Sequence, residues 1–199
     1  MRTFTHNETM FVLNVFKNPE TLYNASSISK VIGISRMGAL KIARKLEKEN
    51  TILSKEFGKA RFYMLNLNND FVRQYLCFLL KREAEYSDPY VKMWVSEIRK
   101  IKYADLAILF GSVLKRHKSA EDIDVLLVTD KKRFSKLKDE LKEIDAVNVK
   151  KIHAIYQTKE DFIKNLKKND KVVLNAIKGV VAFGEEFLIK VVQGEPSKK

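Results

Sequence analysis

The chain predicts an α+β protein built in two units, and three observations carry that reading. The first third shows three helical apolar patterns followed by two short β-rich runs around a glycine. The second half runs strand, Gly-Ser turn and strand, with aspartates at alternate positions of the second strand, and then mixes helical and extended patterns. Between them Ser87-Asp88-Pro89 interrupts a long helical pattern. The divisions that follow are an N-terminal unit over 1–68, a linker helix over 69–88, a C-terminal α/β unit over 89–192 and a polar tail over 193–199.

Taken in order, Met10, Phe11, Leu13, Val15 and Phe16 mark a first helix that stops before Asn18-Pro19. Ser26 or Ser27 can cap a short second helix over Ile28 to Ile32, with Gly33 as its terminator. Ser35 then caps a third helix from Arg36 to about Glu49. Leu40, Ala43 and Leu46 repeat along it, Met37 and Ile42 flank them, and Arg36, Lys41, Arg44, Lys45 and Lys48 lie on the exposed side. Ile52 to Lys55 and Arg61 to Leu65, turning near Gly58, read as a β-hairpin.

Asp70 can cap a long helix from Phe71 to about Glu85, and a second periodic stretch runs from Tyr90 to Ile101. A strand over Ala104 to Phe110 leads into Gly111-Ser112 and a polar loop, after which Asp122-Ile123-Asp124 opens the next strand. Lys131 to Ile144 reads as a basic amphipathic helix. Val149 to Tyr156 reads as a strand carrying His153, and a further helix starts at Asp161. Val180 to Phe183 form a closing strand, with Glu185 and Glu186 in a solvated turn. The tail is expected to fray.

Composition narrows the partners. Of 199 residues 45% are hydrophobic, enough for packed cores and too many for a disordered chain. The formal net charge of +13 points to a polyanionic partner. Between Ser26 and Asn66 nine Lys or Arg face three Glu, so the N-terminal unit holds an excess of six. The single cysteine, Cys77, excludes an intrachain disulfide, sits in an apolar helical pattern and fits a reducing, cytoplasmic location. Met1 to Thr5 are too polar to begin a signal peptide, and no apolar run approaches the ~20 residues of a membrane span.

The chemistry-bearing stretch is Gly111-Ser112 together with Asp122 and Asp124. Residues i and i+2 of a strand share a face, so the two carboxylates point together and can offer oxygens to one hard cation such as Mg²⁺ or Mn²⁺. Gly111 lets backbone approach a phosphate closely, and Ser112 adds a hydroxyl and an N–H.

The series Phe110, Gly111, Ser112, nine intervening residues, then Asp122, Ile123 and Asp124 closely resembles the signature of the DNA polymerase beta-like nucleotidyltransferases, particularly their minimal branch. The resemblance covers roughly residues 90–192. It implies an α/β fold with a mixed sheet, a nucleoside triphosphate as ligand or substrate, metal at Asp122 and Asp124, and phosphate contacts from Gly111, Ser112 and Lys115. Such proteins carry a third carboxylate on a later strand, and in this chain His153 stands there. A neutral imidazole can accept a proton in its place, or the ring is an ordinary strand histidine. Members of the family often follow the Gly-Ser with a small residue, a basic residue and Gly, where this chain has Val113, Leu114, Lys115 and Arg116, and Glu121 replaces a frequent serine before the first aspartate.

The order of elements over residues 5–66, and the stretch Ser27-Ile28-Ser29-Lys30-Val31-Ile32-Gly33-Ile34-Ser35-Arg36, resemble the winged helix-turn-helix of prokaryotic regulators. That resemblance implies double-stranded DNA as partner, and dimerisation through the linker helix. Ser35, Arg36 and Lys41 would lie near base edges, Arg44 and Lys45 on phosphates, and Lys55, Lys59 and Arg61 of the wing on the flanking backbone. Three functions stand open: a DNA-binding transcriptional regulator with a nucleotide-binding domain, an enzyme moving a nucleoside monophosphate from NTP onto a protein or nucleic-acid hydroxyl, and an antitoxin-like partner of a helical toxin.

Overall fold

A capping box opens the first helix, α1 (His6–Lys17): the Thr5 hydroxyl accepts from the Glu8 amide, and Glu8 Oε2 accepts from the Thr5 amide at 2.8 Å. The computed structural model describes residues 4–194, and the chain divides into two units between Leu79 and Leu80. That division falls inside the long helix rather than at either of its ends. Residues 195–199 of the polar tail lie outside the described residues.

In the first unit a two-residue strand, β1 (Tyr23–Asn24), leads into α2 (Ala25–Ile32). Asn24 caps α2, accepting from the amides of Ser26 and Ser27 at 2.9 Å, so the expected cap at Ser26 or Ser27 moves to Asn24. Ser27 instead completes the capping box by accepting from the Asn24 amide. Gly33 ends the helix in the left-handed conformation, φ +72°, that favours glycine. Helix α3 (Arg36–Lys48) follows, capped by Ser35 as its sequence implied. Its buried stripe is Ala39, Ala43 and Leu46; Leu40 is only half-buried and Met37 is 61% exposed. The i, i+4, i+7 spacing thus replaces the three-residue repeat read from Leu40.

Strands β2 (Ile52–Phe57) and β3 (Ala60–Leu65) form the hairpin, and β1 pairs with β3 to give a three-stranded antiparallel sheet ordered β1-β3-β2. β1 was not legible in the sequence, and β2 keeps one edge unpaired within this sheet. Helix α1 packs on α2, α3 and β3, where Phe11 meets Tyr63 with ring centroids 5.7 Å apart. Phe11, Phe16, Ile28 and Leu46 are fully buried there. Each contributes about 1.5–3 kcal/mol of transfer free energy. Helix α4 (Asp70–Glu85) starts one residue earlier than predicted, because the Asn69 side chain, rather than Asp70, accepts from the Phe71 amide at 3.0 Å.

The second unit is a four-stranded mixed sheet ordered β6-β5-β4-β7. β4 (Leu106–Phe110) is antiparallel to β5 (Ile123–Val128) and to β7 (Val180–Phe183), and β5 is parallel to β6 (Ile152–Gln157). All five β4 residues are buried, so it reads as a continuous apolar run rather than an alternating one. On one face Ala107, Leu109, Val125 and Leu127 pack with Trp94, Val95 and Ile98 of α5 (Pro89–Ile98) and with Leu137, Leu141 and Ile144 of α7 (Phe134–Val147). On the other face α8 (Lys159–Lys167) packs on β6, α9 (Lys171–Ile177) on β4 and β5, and α10 (Glu185–Gln193) on β4.

Several of these elements depart from the sequence reading. The presumed polar loop after Ser112 contains a short helix, α6 (Val113–Arg116), and a 3-10 turn over His117–Ser119. Helix α9 had no separate sequence signal. Glu185 and Glu186 form the first turn of α10 instead of a solvated turn, with Glu185 buried; carboxylates there oppose the positive end of the helix dipole. Gln193 belongs to the same helix. Among the described residues no helix is long and apolar enough to cross a membrane.

Candidate functional site

Three strand ends bring the acidic pair and the histidine together. Asp124 is the second residue of β5; across one edge its Cα partner is Phe110, the last residue of antiparallel β4. Across the other edge the parallel register pairs it with His153 of β6. Cross-strand partners stand on the same face of a sheet, so the imidazole meets the carboxylate without any loop having to deliver it. His153 Nδ1 lies 2.9 Å from Asp124 Oδ1. Asp122, one residue before β5 begins, is exposed, and one ligand atom from each of Asp122, Asp124 and His153 lies within 4.8 Å of the others.

The hydrogen bond that Asp124 accepts from the ring raises the His153 pKa above its ordinary value; desolvation opposes this, and the negative charges of Asp124 and Asp122 add to it. The Asp124 side chain is 23% exposed and that of His153 63%. The cluster therefore sits at the mouth of the sheet, not in its core.

Gly111 is needed twice. Its φ of +81° lies in the left-handed region, and a Cβ there would fall inside the Asp124 carboxylate. The turn therefore gives the carboxylate its seat, which is a different use of glycine from backbone approach to phosphate. Ser112 is half-buried and begins α6; its carbonyl accepts from the Lys115 and Arg116 amides at 3.0 and 2.8 Å, while its hydroxyl makes no capping bond. Lys115 is exposed on the same turn.

Sequence reading missed the side chain that ties this end of the sheet together. Lys150 Nζ donates to the carbonyls of Lys118 and Ala120, joining the segment before Asp122 to the segment before His153. Its ammonium also stands 5.8 Å from the Tyr90 ring centroid. A lysine within a Val-Lys-Lys run shows no local signal for such a role, because both carbonyls it reaches are about thirty residues away.

The donor set is two carboxylates and an imidazole nitrogen, a composition that suits a divalent cation. Asp124 is held against Gly111, and the β5–β6 register sets the Cα of His153 beside it, so the backbone positions of two of the three donors are fixed.

The basic residues of the first unit separate into two kinds. Lys41, Arg44 and Lys48 are exposed and lie along one ridge of α3 at i, i+3 and i+7, opposite the buried Ala39, Ala43 and Leu46. Arg36, Lys55 and Lys59 are exposed as well. Lys45 instead reaches Glu8 Oε1 at 2.6 Å, and Glu8 is 2% exposed. Arg61 is held by Glu56 at 2.9 Å and Glu47 at 3.5 Å, and the Glu56 bond foremost raises its pKa further. Lys55 stands 5.1 Å above the Phe57 ring. The Ser35 hydroxyl accepts from the Gly38 amide at 3.0 Å, so its oxygen is occupied as a cap.

No family model, curated protein or solved structure matches this chain at a significant level, so residues and geometry alone carry the functional reading.

Proposed function

We propose that the chain is a DNA-binding protein, a transcriptional regulator, whose C-terminal unit is a nucleotidyltransferase-like domain that binds a nucleoside triphosphate with a divalent cation. The convergence of Asp122, Asp124 and His153 beside the Gly111–Ser112 turn carries this reading. Asp122 and Asp124 supply oxygens and His153 a nitrogen to the cation, while Ser112 and the exposed Lys115 lie on the turn that would receive phosphate oxygens. A bound divalent ion would neutralise phosphate charge and orient the polyphosphate.

Binding rather than turnover is the reading the site supports. Among the described residues no third carboxylate joins the cluster. His153 stands where a third carboxylate would, and a neutral imidazole brings no negative charge to help hold a second cation.

On the first unit we propose a winged helix-turn-helix in which α3 enters the major groove of double-stranded DNA and the β2–β3 hairpin serves as the wing. The exposed ridge of Lys41, Arg44 and Lys48 supports it, with Arg36 at the helix start. Lys45 and Arg61 are assigned structural roles in place of phosphate contacts, because acidic partners within the unit already hold them.

Two titrations with one pair of variants test the proposal. A fluorescent ATP analogue is added in the presence and absence of divalent cation, and a labelled duplex is added across a range of salt. Asp122→Ala/Asp124→Ala should abolish cation-dependent nucleotide binding and leave duplex binding intact. Lys41→Ala/Arg44→Ala should do the reverse. Nucleotide binding that survives loss of both aspartates would sink the site, and duplex binding indifferent to α3 would sink the DNA reading. Including α-labelled NTP and cell lysate in the first assay tests transfer at the same time, and labelled acceptor would make the protein an enzyme.

A further inference from the structure

We infer that the site at Asp122, Asp124 and His153 selects a first-row transition ion over Mg²⁺, with His153 Nδ1 as a direct ligand. The inference rests on the nucleotide–cation reading of the same site and adds the class of the ion.

Donor chemistry provides the first argument. Mg²⁺ is hard, prefers oxygen and gives up its water reluctantly, so carboxylates, phosphates and water satisfy it better than an imidazole does. First-row transition ions accept imidazole nitrogen readily and tolerate mixed nitrogen and oxygen sets. A site of two carboxylates and one imidazole therefore rewards a first-row transition ion for a donor that Mg²⁺ uses poorly, and Mn²⁺, the first-row ion that gains least from nitrogen, is the most demanding spectroscopic probe of it.

Geometry provides the second. His153 is not a distant ring that could swing in; the parallel β5–β6 register sets it beside Asp124, and Nδ1 is the nitrogen that faces the carboxylate, at 2.9 Å. Its ligand atom lies within 4.8 Å of those of both aspartates, close enough for all three to share one ion. Gly111 seats Asp124, and the Lys150 clasp links the segment leading to Asp122 with the one leading to β6. The ring cannot withdraw from the donor set without breaking strand pairing or turning its side chain away. A competing role leaves His153 as a positioning residue that hydrogen-bonds Asp124 while oxygens alone hold the ion. The two roles differ in whether nitrogen touches metal.

The experiment uses the full chain with Mn²⁺ and Mg²⁺ as the probes, each with and without ATP. Electron spin echo spectroscopy of bound Mn²⁺ reads directly whether an imidazole nitrogen is coordinated, and calorimetric titration gives the two affinities. His153→Asp restores an oxygen donor and His153→Ala removes the donor altogether; with its side chain 63% exposed, the position tolerates both. The expected result is nitrogen coupling in the native protein that both variants lose. The Mn²⁺-to-Mg²⁺ affinity ratio should also contract by at least roughly tenfold in His153→Asp. The ratio matters more than Mn²⁺ affinity itself, which an all-oxygen site could also provide. Bound Mn²⁺ without nitrogen coupling, or a ratio unchanged in His153→Asp, overturns the selectivity and leaves the cation site standing. No binding of either ion, with or without ATP, overturns the reading on which the inference rests as well.

Discussion

The basic ridge of α3 and the Asp122–Asp124–His153 cluster are both polar surfaces on a packed unit, and they are built in opposite ways. Lys41, Arg44 and Lys48 come from one helix, and their alignment follows from 3.6 residues per turn alone. The cluster needs the end of β4 and the starts of β5 and β6, brought into register although Phe110 and His153 are 43 residues apart (153 − 110). The ridge is local and redundant, so losing one cation weakens it by a step. The cluster is non-local and seated by one glycine, so a single backbone change can dismantle it.

The largest effect expected from that contrast is at Gly111. Gly111→Val forces a β-branched residue into φ +81° and drives its side chain into the Asp124 carboxylate. Destabilisation of about 1–3 kcal/mol should appear in urea unfolding. Cation-dependent nucleotide affinity should fall at least roughly tenfold, given that misplacing a ligand costs about as much as removing its support. Duplex binding by the same variant should be native. Unchanged nucleotide affinity would mean that the carboxylate does not need its seat.

Next comes the distinction between cations that only look alike. Lys45→Ala takes the Lys45 ammonium from the buried Glu8 carboxylate and should destabilise the first unit by about 1–2 kcal/mol. Arg44→Ala should cost little stability and instead weaken duplex binding by about fivefold. It should also lower the slope of log affinity against log salt by roughly 0.9. If Lys45→Ala matched Arg44→Ala in the salt slope, the two would share one role and the separation would fail.

The smallest effect is electrostatic. In the cation-free protein the His153 ring should titrate above its ordinary value by NMR, and Asp124→Asn should bring it back down. A histidine pKa raised by folding stabilises the fold below the unfolded-state value, and that contribution fades as pH rises through the folded one. Native protein should therefore lose a small increment of stability across that window, and Asp124→Asn should not. A His153 titration unaffected by Asp124→Asn would show that the 2.9 Å contact is not maintained in solution.

How much of this was readable beforehand follows the same divide. Ser35, Gly33 and the helix around Leu46 announce themselves because caps and apolar stripes are written within a few residues. Asp122 and Asp124 are visible as a pair for the same reason, since alternation along a strand is local. β1 escaped notice because two residues carry no period, and its existence depends on Tyr63 and Phe62 of β3. Asn24 took the capping role from Ser26 and Ser27 because its amide oxygen reaches both of their N–H groups at once. The commitments of Lys45 to Glu8 and of Lys150 to two distant carbonyls were invisible, because charge counts do not say which cations are already spoken for.

The unpaired edge of β2 has a consequence for how the protein behaves when concentrated. A six-residue strand with open amides and carbonyls is a template for another chain, and Leu53 and Phe57 along it are each more than 40% exposed. Lys55 and Glu56 interrupt that apolar sequence with opposite charges, and Gly58 turns the chain away one residue beyond it. Replacing both charges with valine would leave six consecutive residues with one hydroxyl and no charge, the composition of a segment that stacks into fibrils. Two charges at the middle of an open strand are thus what sets this edge apart from such a segment.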